Sequence, residues 1–142
     1  MTTDLRIAVI LNPALPAGYA ANTAAAIGMG LAALQPDIAG SRLTDRTGLT
    51  IHGSSRLPVP ILAAGQEALQ ALLAKAAATS GAQSPEGYVI AFPSFARALH
   101  DHQEYEATFG THSLVEEELD GIGLLGPSKW VRSLTGALKL LR

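Results

Sequence analysis

The sequence predicts an α/β fold, a single three-layer sandwich in which helices flank a four-stranded sheet that is mainly parallel or mixed. Short apolar runs, the length of buried strands, alternate with longer segments of helical composition. The last apolar run meets Gly126-Pro127 and then an amphipathic segment, which is typical of a strand, a tight turn and a helix. Because 142 residues fit one core, residues 1–142 are predicted to form one domain.

The first third of the chain predicts a strand, a long helix and a hairpin. Leu5–Leu11 is nearly all apolar, as in a strand covered on both faces, and we place it at the centre of the sheet. The alanine-rich stretch from Ala17 to Gln35 favours a helix. A turn signal, Asp45-Arg46-Thr47-Gly48, predicts a small peripheral hairpin between Ser41–Thr44 and Leu49–His52.

Two glycines lie inside the predicted long helix. Gly28 and Gly30 each cost about 1 kcal/mol relative to alanine, which close approach of the helix to the sheet or to a partner helix would explain. The stretch Gly28–Ala33 also fits a dinucleotide fingerprint. It lies within a helix instead of between a strand and a helix, so we interpret the glycines as packing positions and expect no cofactor.

The middle of the chain predicts two more strands around a helix. Pro58-Val59-Pro60 leads into the apolar run Ile61–Ala64, the second buried strand. Gln66 to Ser80 carries leucines at helical spacing and is the clearest helix. A loop over Gly81–Gly87 and a third strand, Tyr88–Phe92, follow.

The last third predicts short helices at Gln103–Phe109 and Ser113–Leu119, the second on the capping-box spacing of Ser113 and Glu116. Ile122–Leu125 is the fourth strand, and the final helix follows Pro127. Gly136 either closes that helix as a left-handed cap or only interrupts it. The sequence leaves open whether residues 137–142 extend the helix or form a packed tail.

Composition and charge exclude several classes of function. Cysteine is absent, which removes disulfides, thiolate nucleophiles and cysteine-ligated metals. Seven of the twelve acidic residues lie between Asp101 and Asp120, without a lysine or arginine, so a nucleic-acid partner is disfavoured. The N-terminus lacks a signal-peptide pattern and no run reaches membrane-spanning length. We expect a cytoplasmic protein without a membrane partner.

The order of elements, from Arg6–Leu11 to the closing Gly123–Pro127 and Leu134–Leu141, resembles the type II peptidyl-tRNA hydrolase fold. Nearly end to end, the chain is more similar to an uncharacterised domain family that shares this fold. Asn22-Thr23, Pro58-Val59-Pro60 and the Glu104-Tyr105-Glu106 segment carry that closer resemblance. It implies a four-stranded mixed sheet flanked by helices, and a homodimer.

The resemblance does not extend to the hydrolase residues. The hydrolases carry a lysine and a histidine near the first helix and an Asp-Ala-Gly-x-Thr segment before the last strand. This chain has no lysine before Lys75 and no histidine before His52, and nothing between Phe92 and Ile122 reads Asp-Ala-Gly. The resemblance therefore implies the fold without the peptidyl-tRNA chemistry.

Polar residues after the predicted strands are candidates for ligand binding. Asn12, Ser94 and Ser128 converge if the strands are parallel, because ligands settle at the carboxyl ends of such strands. Ser128 also begins the last helix, where free N–H groups attract an anion and Lys129 adds charge. Ordinary loop capping by these side chains is the alternative. Asn22 of the first helix completes the candidate set.

The triplet His100-Asp101-His102 is the strongest catalytic candidate, since histidine titrates near neutrality and an adjacent acid orients it. Residues two apart do not face each other on a helix, and the surroundings are acidic, so a metal site is disfavoured. A triad with Ser94 lacks a nucleophile elbow. His100 and His102 stay candidate general bases.

Three functions follow. The leading one is binding of an unknown small molecule at the strand ends by a homodimeric domain without hydrolase residues. The second is hydrolysis of an ester or amide, with His100 or His102 as general base. The third is a structural or interaction module whose dimer seam is the helix containing Gly28 and Gly30.

Overall fold

The computed structural model describes residues 4–79 and 87–142, which fold into a mixed α/β domain. Its strands are β1 (Leu5–Leu11), β2 (Arg42–Thr44), β3 (Thr50–His52), β4 (Ile61–Ala63), β5 (Tyr88–Pro93), β6 (Leu119–Pro127) and β7 (Lys139–Leu140). Its α-helices are α1 (Ala17–Leu34), α2 (Gln66–Thr79), α3 (His102–Phe109) and α4 (Ser128–Thr135). Three 3₁₀ helices span Pro36–Ile38, Ser94–Ala98 and Leu114–Glu116.

The main sheet has five strands in the order β5-β6-β1-β4-β7, one more than the four predicted. β1 is central, as expected, and runs parallel to β4. β6 is antiparallel to both β1 and β5, and β7 is antiparallel to β4. The carboxyl ends of β1, β4 and β5 therefore share one edge of the sheet with the start of β6, while β6 ends at the opposite edge.

Alternate residues of β1 enter two separate apolar clusters, because successive side chains of a strand point to opposite faces. Ala8 and Ile10 pack with residues of α2 and α4, including Leu69. Val9 packs on the other face with α1, including Ile27. Helices therefore cover both faces of the sheet, and this arrangement matches the predicted three layers.

Helix α1, with a mean hydropathy of 1.2 over 18 residues, is long and apolar enough to cross a membrane, so the expectation that no run reaches membrane-spanning length is wrong. One such helix near the N-terminus is weak evidence for a membrane span, since core helices of soluble proteins can have the same length and composition. Thr23, Ile27 and Leu31 of α1 are buried against the sheet. This packing covers one face of the sheet, and 17% of the helix is buried. A cytoplasmic location stays a prediction.

Two of the glycines explain how closely α1 approaches the sheet. A Cβ at Gly30 would lie 2.7 Å from Cδ1 of Ile90 on β5, so Gly30 is a packing position within the chain. A Cβ at Gly123 of β6 would collide with Cγ2 of Ile27. Gly28 faces open space, and a Cβ there would meet no atom within 4 Å. Close approach explains Gly30 but not Gly28.

Two predicted features of the last third differ in the structure. Ser113–Leu119 is not an α-helix: only Leu114–Glu116 forms a 3₁₀ turn, the Ser113 side chain makes no cap hydrogen bond, and β6 begins at Leu119. Gly136 ends α4 with φ of −60°, outside the left-handed region, and the tail returns to the sheet as β7. Ser80 and residues 81–86 of the predicted loop lie outside the described residues.

The peripheral hairpin forms as predicted, with Leu43 of β2 opposite Ile51 of β3. One Asp45 carboxylate oxygen accepts hydrogen bonds from the Leu49 N–H at 2.9 Å, the Thr47 hydroxyl at 2.9 Å and the Thr47 N–H at 2.8 Å. These bonds, led by that from Leu49, lower the pKa of Asp45 below its usual value. Asp45 therefore holds the turn most strongly when it is ionised.

Low pH and the Asp45→Ala substitution should each open the β2–β3 hairpin. Because the folded pKa lies below the unfolded one, the stabilisation is complete above about pH 4 and is lost as pH falls through the folded pKa. The measurement is the Leu43–Ile51 cross-strand NOE between pH 6 and pH 2.5. The matched control is Asp37→Ala, which should leave the NOE intact. A hairpin equally ordered in Asp45→Ala would contradict the assignment.

Candidate functional site

A cavity of about 680 Å³ opens at the edge of the sheet where β1 and β5 end. Its walls come from the start of α1, the end of β5, the 3₁₀ helix Ser94–Ala98 and the start of α3. The lining residues are Pro16, Gly18, Tyr19, Asn22, Phe92, Ala96, Arg97, Leu99, His100, Asp101, His102 and Tyr105. This is the strand-end position at which α/β sheets commonly bind ligands.

An ion pair between Arg97 and Asp120 lies beside the cavity. Arg97 Nε donates to Asp120 Oδ2 at 2.6 Å, and Arg97 Nη2 donates to Oδ1 at 2.6 Å. The Ser94 hydroxyl donates a third hydrogen bond to Oδ1 at 2.7 Å. The Asp120 side chain is 1% exposed and that of Arg97 is 32% exposed, so the carboxylate is buried and the guanidinium reaches the cavity.

This bidentate pair fixes the orientation of the guanidinium. The hydrogen bond to Asp120 is the main reason that the pKa of Arg97 is raised above its usual value. The Tyr19 ring adds a second support, because Arg97 Cζ lies 5.0 Å from its centroid, within the range of a cation–π contact. Arg97 is therefore a permanently charged group held in one orientation at the wall of the cavity.

Aromatic side chains form another part of the wall and the surface behind it. Tyr105 of α3 packs edge-on against Phe109, with ring centroids 5.9 Å apart, and tilts against Phe95 at 6.1 Å. Phe95 also stacks on His112 at 4.3 Å. Burial raises the pKa of Tyr105, so its hydroxyl is a neutral donor at neutral pH. The cavity thus combines one oriented cation with aromatic surface.

His100 and His102 both line the cavity. His102 is the first residue of α3, and His100 precedes the helix by two positions. Asp101 between them has extended backbone and caps α3, where its side chain accepts from the Gln103 N–H at 2.9 Å. His102 Nε2 lies 3.7 Å from Glu106 Oε1, and both side chains are mostly exposed. Within residues 4–79 and 87–142 no group of three or more metal-binding side chains occurs.

Comparison with known proteins identifies a family that this chain matches. The family described as "Protein of unknown function (DUF2000)" matches residues 5–142. The chain belongs to this family. A solved structure of a protein of unknown function from Agrobacterium tumefaciens strain C58 is similar, with 24% identity, a TM-score of 0.84, and coverage of 96% of this chain and 97% of that one. That likeness supports the fold alone. No curated protein matches the chain.

In this DUF2000 domain, Asn22 and the two histidines are the predicted site residues that line the cavity. Asn12 ends β1 at the same edge, but its Oδ1 accepts from the Ala14 N–H at 3.0 Å, which is the loop capping considered as the alternative. Ser94 is also at this edge, and its hydroxyl is engaged by Asp120. Both residues support the loops around the cavity.

Ser128 and Lys129 lie at the opposite edge of the sheet, so the predicted convergence with Asn12 and Ser94 is wrong. The reason is the direction of β6, which runs antiparallel to β1 and carries its carboxyl end away from the cavity. The buried Ser128 donates its backbone N–H to the Asp4 carbonyl at 2.8 Å, and Lys129 is exposed.

Arg97, Asp120 and Tyr19 were not among the predicted site residues. Asp120 belongs by sequence to the acidic stretch between Asp101 and Asp120, yet it is buried as the second residue of β6. An acid two residues before the apolar run Ile122–Leu125 was the available signal, since a carboxylate at the start of a buried strand requires a partner. Its partner lies 23 residues away and could not be chosen from sequence.

Proposed function

We propose that this DUF2000 domain binds a small organic molecule in the cavity at the ends of β1 and β5. One observation carries the proposal: a cavity of about 680 Å³ has a buried ion pair at its wall that fixes a partly exposed guanidinium. Cavities of this size, with apolar walls and few oriented polar groups, are typical of small-molecule sites. Arg97 supplies the polar group, and Tyr19, Phe92 and Tyr105 supply the apolar walls.

The burial of Asp120 supports the proposal. A buried ion pair contributes little net stability, because desolvation offsets most of the attraction between the charges. Core packing alone does not explain why a carboxylate with three hydrogen bonds lies at the start of an apolar strand. The ion pair orients the Arg97 guanidinium toward the cavity, which two apolar side chains in the same places could not do.

A fragment screen by ¹H–¹⁵N NMR tests the proposal. We expect some fragments to shift the backbone signals of Gly18, Tyr19 and Ala96, which line the cavity, while the signals of hairpin β2–β3 stay in place. The hairpin is the internal control because it forms a separate two-stranded sheet. Fragments that shift only signals elsewhere, or no fragment binding at millimolar concentration, would overturn the proposal.

A second candidate is hydrolysis of an ester or amide, which the positions of His100 and His102 at the cavity favour. Ser94 is unsuited as a nucleophile, since its hydroxyl donates to Asp120 and not to a histidine. A histidine would therefore activate water as a general base. The expected result is that His100→Ala/His102→Ala lowers turnover of p-nitrophenyl acetate by about 10²-fold or more. His52→Ala, in the hairpin, is the control, and unchanged turnover in the double variant removes this candidate.

The relationship to the type II peptidyl-tRNA hydrolase fold and the homodimer also remain proposals. The mixed sheet flanked by helices is compatible with that fold. A dimer seam that uses Gly30 is disfavoured, because Gly30 packs against Ile90 of its own chain. Gly28 and the exposed Met29 remain available for a partner helix. Light scattering should give the mass of a dimer, and a monomer at all concentrations would contradict it.

A further inference from the structure

None of the described residues pairs with one edge of the Arg97 guanidinium. Its Nε and one N–H of Nη2 face Asp120, so the edge formed by Nη1 and the other N–H of Nη2 is turned away from the carboxylate. Across the described ranges 4–79 and 87–142, the protein offers this second edge no hydrogen bond. Arg97 lines the cavity and its side chain is 32% exposed, which is consistent with an edge open to a ligand there.

Resting on the proposed function, we propose that the ligand is an organic monocarboxylate whose two oxygens accept hydrogen bonds from this free edge of Arg97. Two parallel N–H groups match the spacing of a carboxylate, and such charge-assisted pairs are among the strongest polar contacts in proteins. Asp120 orients the guanidinium from the opposite side, so little ordering is required when the ligand binds.

The charges around the cavity favour a single negative charge on the ligand. The start of α1 supports an anion, because its first turn has no acidic residue and the Pro16 cap offers no side-chain acceptor. Asp120 already neutralises Arg97, and Asp101 adds a further negative group at the wall. Two negative charges, as on a phosphate dianion, would therefore be repelled more strongly at this wall than the single charge of a carboxylate.

The remaining walls define the rest of the ligand. Tyr19, Phe92, Leu99 and Tyr105 present rings and an aliphatic side chain around the cavity. Such surfaces bury an aromatic or aliphatic body by the hydrophobic effect and by ring stacking. The ligand class is therefore a carboxylate joined to an apolar group, with the carboxylate at Arg97 and the apolar group among these side chains.

Titrations with three matched probes test the inference without any substitution. Phenylacetate, phenylacetamide and phenyl phosphate share a ring and differ in the polar end. From the NMR shifts of the cavity signals, we expect phenylacetate to bind at least about tenfold more tightly than phenylacetamide and than phenyl phosphate. If phenylacetate and phenylacetamide bind at the cavity with equal affinity, the inference that the ligand is a carboxylate is overturned, whereas the proposed function is still supported. If phenyl phosphate binds more tightly than phenylacetate, the inference that the ligand has a single negative charge is overturned.

Two variants assign the preference to Arg97. Arg97→Lys keeps a positive charge opposite Asp120 but removes the planar fork, so the preference for phenylacetate should fall about tenfold. Arg132→Lys on α4 is the matched control, and this variant should keep the full preference for phenylacetate. If Arg97→Lys does not fold, Arg97→Met/Asp120→Asn, which removes both charges, replaces it with the same expected loss. An unchanged preference in the folded variant overturns the inference, whereas absence of any fragment at the cavity overturns the proposed function itself.

Discussion

Arg97→Leu should destabilise the domain by about 3 kcal/mol, near the lower end of the cost of breaking a buried ion pair because Arg97 is partly exposed. The substitution leaves the Asp120 carboxylate, 1% exposed, with only the Ser94 hydroxyl as hydrogen-bond donor. An unpaired buried charge retains its full desolvation cost. The measurement is the free energy of unfolding in urea at pH 7.

Removal of both charges should restore most of that stability. In Arg97→Met/Asp120→Asn no charge is buried, and we expect the free energy of unfolding to return to within about 1 kcal/mol of the unsubstituted chain. Arg42→Leu in β2, an exposed position, should change it by no more than about 0.5 kcal/mol. A double variant as unstable as Arg97→Leu would show that the geometry, and not the unpaired charge, determines the loss.

Gly123→Ala should cost about 3 kcal/mol, near the upper end of the usual penalty for overpacking a core. Its Cβ would collide with Cγ2 of Ile27, a fully buried and β-branched side chain that has little freedom to move. Helix α1 would then shift away from β6. The shift in the urea midpoint measures the effect.

Two comparisons separate a collision from a general effect of alanine. Gly28→Ala meets no atom within 4 Å and lies in the same helix as Ile27, so it should stabilise the domain by about 0.5–1 kcal/mol. Ile27→Ala/Gly123→Ala should be less unstable than the sum of the single variants, because the smaller side chain makes room for the new methyl group. Strict additivity would exclude the collision as the cause.

The elements with strong local signals could be predicted from sequence. The apolar run of β1, the alanine-rich α1, the leucine spacing of α2 and the turn at Asp45 each depend on residues close together in the chain. Their bounds agree with the structure to within a few residues. The central position of β1 also follows from its own composition, because a strand that is apolar on both sides must be covered on both faces.

Strand direction and the candidate site could not be predicted in this way. An apolar run has the same period whichever way it crosses a sheet, so Ile122–Leu125 gave no sign that β6 is antiparallel. That direction alone moves Ser128 to the far edge. β7 depends on a pairing of Lys139–Leu140 with β4, and the Arg97–Asp120 pair depends on the meeting of the 3₁₀ helix with β6. Both are tertiary contacts with no local pattern.

The pairing of β1 with β6 also constrains biosynthesis. Leu5 lies opposite Pro127 and Leu11 opposite Gly121, so the central strand obtains its antiparallel neighbour only after residues 119–127, more than a hundred positions later, have left the ribosome. Until then one edge of the apolar strand Leu5–Leu11 lacks its antiparallel neighbour. Such late, long-range pairing slows folding and exposes nascent chains to association.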